Sequence, residues 1–464
     1  MRKEICCFNV FIMFVLCVIF ISCNTTNITI STGKSEIVQA EVKQNSGMSA
    51  LVEGIPILAW YGVQGHTAER YLELKECGID YNLTFYSNVE DLALAMDAAY
   101  TAGVKMIINC TELGTDPEHI VSYFKDHPAI AGYYLSDEPN SNDFPYLGEM
   151  VRRIQAVDNK HFCYINLYPN YASSKQFGTT TYLKHVQLFL QEVPVPFLSF
   201  TYYPIMTNSR VRYLNRLRRI VPSSFYNWAN TGVRSIRKRW YENLEIISDE
   251  AHKVGRPFWA FALTTAHGRY SIPTLADLRL QVYSNLAYGA QGIQYFTYWT
   301  PPLANEKEDF HDGPIDINTQ QKTTAWYTVK QMNKEIKGLS NVFLGAQVIQ
   351  VRHIVKTAFG TNGAVPPGTT RFNFAKRPAE ANIIKTFIIP NSTNAVVSFL
   401  KNGNRCYMVV INRNLSGGDD VTFTITGGEG LQLIKKDGTA VPASSESSNQ
   451  TVTPGDALIY GWDN

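Results

Sequence analysis

Lys105-Met106-Ile107-Ile108-Asn109-Cys110-Thr111-Glu112 is followed, after the helical stretch Pro117–Lys125, by Ile130-Ala131-Gly132-Tyr133-Tyr134-Leu135-Ser136-Asp137-Glu138-Pro139-Asn140. The two outer stretches are short, apolar and rich in β-branched and aromatic residues, the composition of strands buried on both faces. Strand, helix, strand is the unit from which parallel sheets are built. Each strand ends in polar and acidic residues, so the chemistry gathers where the strands stop.

The same rhythm extends in both directions. Strand-like runs are expected at Ile55–Val63, Ile79–Tyr86, Lys105–Glu112, Ile130–Leu135, His161–Tyr168, Phe197–Pro204, Pro257–Thr265 and Gly292–Trp299. Helix candidates between them include Ala68–Cys77, Val89–Ala102 and Leu275–Ala287, and Cys77-Gly78 and Tyr288-Gly289 are glycine stops. Eight strand–helix units over roughly 280 residues match a (β/α)8 TIM barrel in number and length. A doubly wound sheet is disfavoured, because no GxGxxG or P-loop is present. After Leu339 the rhythm changes to strands at Gln347–Lys356, Ala395–Leu400, Arg405–Asn412, Val421–Thr426 and Ala457–Trp462, with turn signals at Asn402-Gly403 and Asp437-Gly438. The expected architecture is α/β: a barrel over residues 51–340, then a C-terminal antiparallel β-sandwich over 341–464.

The 464 residues are 45% hydrophobic and 18% charged, which excludes wholesale disorder and a multi-span membrane protein. Lys plus Arg (42) nearly balances Asp plus Glu (40), so no global charge argues for nucleic acid. Aromatic residues reach 12%, a surplus that suits either sugar stacking or a large aromatic core. Met1-Arg2-Lys3 precedes an apolar run from Ile5 to Ile21 that ends in Ser22-Cys23. This reads as a lipoprotein signal peptide over residues 1–22, with lipid on Cys23 and a polar tether over 23–50. The expected location is the cell envelope, anchored in the outer membrane on its periplasmic or surface face. Cys77, Cys110, Cys163 and Cys406 then remain as scattered, buried free thiols without metal-ligand spacing. No cofactor and no metal are expected.

The C-terminal strand ends of a barrel face its active site. They carry Trp60 and Tyr61, Tyr86, Asn109 and Glu112, Asp137 and Glu138, Asn166 and Tyr168, Tyr202 and Tyr203, His267, and Tyr298 and Trp299. Carboxylates, amides and flat rings on one rim form a sugar-binding inventory, since acids protonate glycosidic oxygens, amides bind hydroxyls and rings take pyranose faces.

Through Gly132–Asn140, Tyr202-Tyr203-Pro204, Leu286-Ala287-Tyr288-Gly289 and Tyr295–Trp299, the chain resembles the glycoside hydrolases of the large retaining (β/α)8 clan, especially family-42-like bacterial proteins. The resemblance spans residues 55 to about 340. It implies Glu138 as general acid/base, Asp137 as the residue that orients it or binds a hydroxyl, and Trp299 as a subsite floor. Two adjacent carboxylates also repel, which raises the pKa of one toward an acid's role.

One departure stands out. The clan places a nucleophilic Glu at the end of strand seven, where this chain has Phe258–His267 without a carboxylate. Glu112 is the first candidate for the second acid, and the run Glu306-Lys307-Glu308-Asp309, with Asp312 and Asp316 beyond it, is the second. A further signal is the segment between Met206 and Trp240, with nine basic residues and no acidic one. Arg212 and Arg216 share a helical face there, suited to paired guanidinium contacts with an anionic glycan. The expected function is hydrolysis of a poly- or oligosaccharide, and the alternative is a glycan-binding protein that kept the cleft and lost the nucleophile.

Overall fold

The computed structural model describes residues 52–207, 234–302, 309–358, 361–390, 393–415, 417–443 and 448–464. The expected signal peptide and tether, with Cys23, Arg212, Arg216, Glu306 and Glu308, lie outside them.

Eight parallel strands form the barrel: β1 (Ile57–Trp60), β2 (Tyr81–Leu83), β3 (Lys105–Ile108), β4 (Ile130–Asp137), β5 (Phe162–Asn166), β6 (Leu198–Phe200), β7 (Phe258–Leu263) and β8 (Gly292–Phe296). They run β5-β4-β3-β2-β1-β8-β7-β6 around the sheet. The last join, between β5 and β6, is made just past β5, where Leu167 bridges to Phe200 through its amide to Ser199 O (2.8 Å) and its carbonyl to the Thr201 amide (3.0 Å). Each strand is followed by a helix: α1 (Ala68–Glu76), α2 (Val89–Thr101), α3 (Pro117–Phe124), α4 (Phe144–Val157), α5 (Tyr182–Glu192), α6 (Trp240–Lys253), α7 (Leu275–Ala287) and α8 (Thr324–Gly338).

Aromatic side chains fill the barrel. Near its N-terminal end Tyr81, Phe162, Phe197 and Trp259 pack ring on ring, with Phe197 and Trp259 stacked at 4.5 Å. At the mouth Trp60 meets Phe85, Tyr134, Phe261 and Phe296 with centroids 5.4–6.4 Å apart. Such a load needs space, and glycine supplies it: a Cβ at Gly132 would sit 2.6 Å from the Phe162 ring, and one at Gly292 would sit 2.6 Å from Trp259. Much of the aromatic surplus is therefore core.

The C-terminal part has two large antiparallel sheets, besides a short pair of Thr357–Ala358 with Thr361–Asn362. The larger contains β9 (Gln347–Ile354), β11 (Ala395–Asn402), β12 (Arg405–Asn412), β14 (Gln432–Ile434), β15 (Ala440–Pro442) and β17 (Ala457–Asp463), in the order β9-β11-β12-β17-β14-β15. The smaller contains β10 (Ile384–Ile388), β13 (Val421–Gly427) and β16 (Asn449–Val452), with β13 central. The short strands β10, β14, β15 and β16 were not read from the sequence. Period-two alternation gives the larger sheet two apolar faces. Val397, Phe399, Met408, Val410 and Tyr460 pack toward the smaller sheet, while Val396, Leu400, Val409, Ile411 and Ile459 join the core of the barrel helices. Polar ties reinforce that second contact: the Ser398 hydroxyl donates to Ala287 O (2.7 Å), and the Tyr288 hydroxyl lies 2.9 Å from His353 Nε2.

No helix among the described residues is long and apolar enough to cross a membrane. Cys77, Cys110, Cys163 and Cys406 are buried free thiols.

Candidate active site

Strand β4 is the longest in the barrel, and its end is irregular. Its register with β5 shifts between Tyr134 and Ser136, so that Asp137 falls opposite Asn166. A bulge of this kind re-aims the residues that follow it. Glu138 then adopts a left-handed backbone (φ 48°), and its amide is fixed to Asn166 O at 2.7 Å. A glutamate seldom takes that conformation without surrounding structure to hold it. Together the bulge and the left-handed residue set both carboxylates at the barrel mouth, where Asp137 is open to solvent and Glu138 is half-buried.

A polar network runs beneath them. Asn166 Nδ2 donates to Asp137 Oδ1 (2.9 Å) and to the Thr201 hydroxyl (2.6 Å), while the Ser199 hydroxyl donates to Asn166 Oδ1 (2.8 Å). Ser199 in turn accepts from Gln294, whose Oε1 takes the Tyr164 hydroxyl at 2.6 Å. Polar groups deep in an aromatic barrel need such mutual satisfaction, and it leaves Asn166 a single orientation.

The protein atoms packed about its base take away part of its hydration and push the Asp137 carboxyl up to about 6 although its outer side meets solvent, and the Asn166 hydrogen bond opposes the shift. Glu138 is pushed well above the usual carboxylate range, by burial first and by the Asp137 charge second, with a hydrogen bond from Thr201 opposing. The two carboxylates thus oppose each other's ionisation, and of the pair Glu138 is the one pushed toward the acid form, beside the Asp137 carboxylate that the Asn166 hydrogen bond favours.

Near the pair stand half-buried rings at Phe85, Tyr168 and Tyr171, with buried Tyr203 behind them, while Tyr61 packs against the core of strands and helices. Arg237 lies flat over Tyr171, its guanidinium carbon 4.0 Å from the ring centroid. Phe85, Tyr171 and Arg237 escaped sequence reading, since Phe85 and Tyr171 sit in loops and Arg237 was one of nine bases in a run. Arg237 nevertheless follows a short hairpin, Ile205–Thr207 with Arg234–Ile236, that pins both ends of the basic segment to the rim. Thr207 bonds Arg269 O and Arg234 pairs with buried Asp277, which fixes the hairpin against the loop after β7 and the start of α7.

Several expected rim residues face elsewhere. Tyr86, Tyr202, Tyr298 and Trp299 are 1–9% exposed and belong to the core between strands and helices. Tyr86 bonds the Tyr71 hydroxyl (2.9 Å), Tyr298 accepts from Trp326 (3.2 Å), and Arg70 lies over Trp299. Trp299 is 2% exposed beneath Arg70 and so offers no open face as a subsite floor. Trp60 and Tyr203 do point into the barrel mouth, and Asn109 binds Tyr134 O at 3.1 Å.

The end of β7 carries no acid of its own. Thr264 and Thr265 donate to Thr297 O of the neighbouring strand end (2.7 and 3.2 Å). Burial lowers the pKa of His267 to about 4, so its ring is neutral, with Nδ1 3.2 Å from Thr265 O. Asp309 reaches this place from the loop after β8, where it accepts the Gly268 amide at 2.5 Å beside His267. Asp312 pairs with His311, and Asp316 closes a turn through Asn318 and Thr319. Glu112 opens the turn Thr111–Gly114 beside the Cys110 thiol, with a buried Oε2 that has no hydrogen-bond partner. The carboxylate charge that raises Glu138 is that of Asp137. Among the described residues no cluster of His, Cys, Asp or Glu is placed to hold a metal ion.

Residues 224–339 match the family Glyco_hydro_42, described as beta-galactosidase. No curated protein matches the chain. Among solved structures, a catalytic mutant of a family 42 beta-galactosidase from G. stearothermophilus is similar in fold, with a TM-score of 0.53 at 9% identity over 88% of this chain and 98% of that one. Beta-galactosidases from Marinomonas ef1 and Halorubrum lacusprofundi align with TM-scores of 0.42 and 0.41, at 11% and 10% identity over 62% of this chain. The chain spans 60% and 58% of the length of those two enzymes. By its strand order, its sheets and the family match over residues 224–339, the chain is a glycosidase-like (β/α)8 protein with a C-terminal β-sandwich.

Proposed function

We propose that this protein hydrolyses an O-glycosidic bond in an oligo- or polysaccharide, with Glu138 as general acid/base. The observation that carries this reading is the adjacent carboxylate pair, Asp137 and Glu138, that the bulge in β4 and the left-handed backbone at Glu138 set at the barrel mouth. A carboxyl kept protonated near neutral pH can give its proton to the leaving glycosidic oxygen and then, as carboxylate, take one from water. Asp137, held as an anion by Asn166, steadies positive charge developing on the sugar ring. The second oxygen nucleophile, or the base that activates water, is assigned to Asp309 ahead of Glu112, because Asp309 stands at the end of β7, across the barrel from β4. A carboxylate separation near 5 Å leads to a covalent intermediate and ~6.5–9.5 Å to an inverting water.

The glycan is read as anionic, from the basic segment whose ends are pinned to the rim. Lipid attachment at Cys23 in the outer membrane belongs to the same proposal, and a Cys23→Ala protein should leave the detergent phase on partition.

A second reading rests on the threonines at the end of β7: a glycan-binding protein that lacks a nucleophile. Turnover of a panel of aryl glycosides and polysaccharides by wild type and Glu138→Gln separates the two. Hydrolysis that falls about 10²–10⁴-fold in the variant, with sugar binding retained, supports the enzyme. Binding without turnover in both proteins supports the second reading.

A further inference from the structure

Among the described residues Arg237 is a cation without a counter-ion. Its Nη2 donates to the Tyr270 hydroxyl (2.9 Å), and its backbone amide is tied to Pro204 O (2.7 Å) at the end of β6. Its buried Nε has no hydrogen-bond partner, and no carboxylate pairs with it among the described residues. Two arginines close to it in the chain differ: Arg234 pairs with Asp277, and Arg239 pairs with Glu242. A half-buried guanidinium loses much of its hydration, and a stacked ring returns only part of that cost.

The surroundings are built to hold the group still. Tyr171 lies beneath it at 4.0 Å, Tyr270 grips one end, and Tyr202 closes against Tyr171 with centroids 5.1 Å apart. The Tyr171 hydroxyl lies within electrostatic reach of both Glu138 and Arg237. A planar donor group fixed on an aromatic plate, with unused N–H groups, matches the geometry of a carboxylate or sulfate.

We propose that Arg237, stacked on Tyr171, is the subsite that binds the acidic substituent of a uronate- or sulfate-bearing sugar next to the cleaved bond. The inference rests on the reading of the cleft as a glycosidase site and assigns its substrate class to one side chain. Neutral parts of the sugar would lie against Tyr168, while the anion turns toward the hairpin.

The test uses the full chain with matched aryl glycosides that differ only at C6, a hexuronide against the parent hexoside, plus a sulfated hexoside. Wild type should favour an acidic member in kcat/KM, and Arg237→Gln should cut the acidic-to-neutral ratio by roughly 10- to 100-fold. Arg237→Lys should recover part of it, because it keeps the charge and loses the planar fork. Near-UV circular dichroism checks that each variant is folded. An acidic-to-neutral ratio that Arg237→Gln leaves unmoved overturns the proposal. If wild type cleaves no glycoside, the hydrolase reading fails on its own, and the same ratio is read from calorimetric binding of acidic and neutral oligosaccharides. Absence of acidic preference in that measurement overturns the subsite as well.

Discussion

The side-chain amide of Asn166 donates to Asp137 Oδ1 at 2.9 Å across the seam between β4 and β5, and to Thr201 at 2.6 Å. One amide thus sets the charge of the anion and positions the hydroxyl that reaches Glu138. Asn166→Ala removes both contacts. The Asp137 pKa should climb from about 6, so the acid limb of the kcat/KM profile moves to higher pH and kcat drops roughly tenfold. The variant should also lose about 1–3 kcal/mol of stability in urea titration, because Ser199 loses its acceptor. An acid limb that stays in place would show that Asp137 does not govern it.

Glu138 is destabilising when charged. Its folded pKa lies above its unfolded one, so the native state binds more protons in the window between them and stability falls as pH rises through it. Glu138→Gln, which cannot ionise, should melt about 1–3 °C above wild type at pH 8 and together with it at pH 4. A variant equal to or below wild type at pH 8 would contradict the raised pKa. The loss of activity toward alkaline pH should follow the same titration, since the acid form is the one that works.

Arg234 and Asp277 anchor the hairpin to the start of α7. Asp277 has a 2% exposed side chain, caps the helix through Thr274 and has one buried oxygen without a partner. Arg234→Met would leave that carboxylate buried without its cation, at a cost of about 3 kcal/mol. Chemical denaturation measures this directly. A loss under 1 kcal/mol would mean that water replaces the arginine.

The larger C-terminal sheet is apolar on both faces, and one face completes the core under α7. A chain ending at Phe343 should therefore expose Leu280, Val282 and their neighbours and aggregate in light scattering. A monodisperse, folded truncation would show that the barrel closes its own core.

What the sequence by itself determined was the class of each segment. Eight strand–helix alternations, the later change to hairpin strands, the four buried thiols and the Asp137-Glu138 pair follow from local composition and period, which act over a few residues. What tertiary structure decided was direction. Tyr202 faces the helices and Tyr203 the cleft, although both stand at the same strand end, because the phase of β6 is set by its pairing with β7. The bulge in β4, the left-handed turn at Glu138 and the placing of Asn166 beneath Asp137 depend on a neighbouring strand 29 residues away. Asp309 comes to the end of β7 through a bond to Gly268 that spans 41 positions, and Arg237 finds its plate in Tyr171 from the preceding βα unit. Such contacts leave no periodic trace, since closing the barrel, rather than any local preference, brings them together.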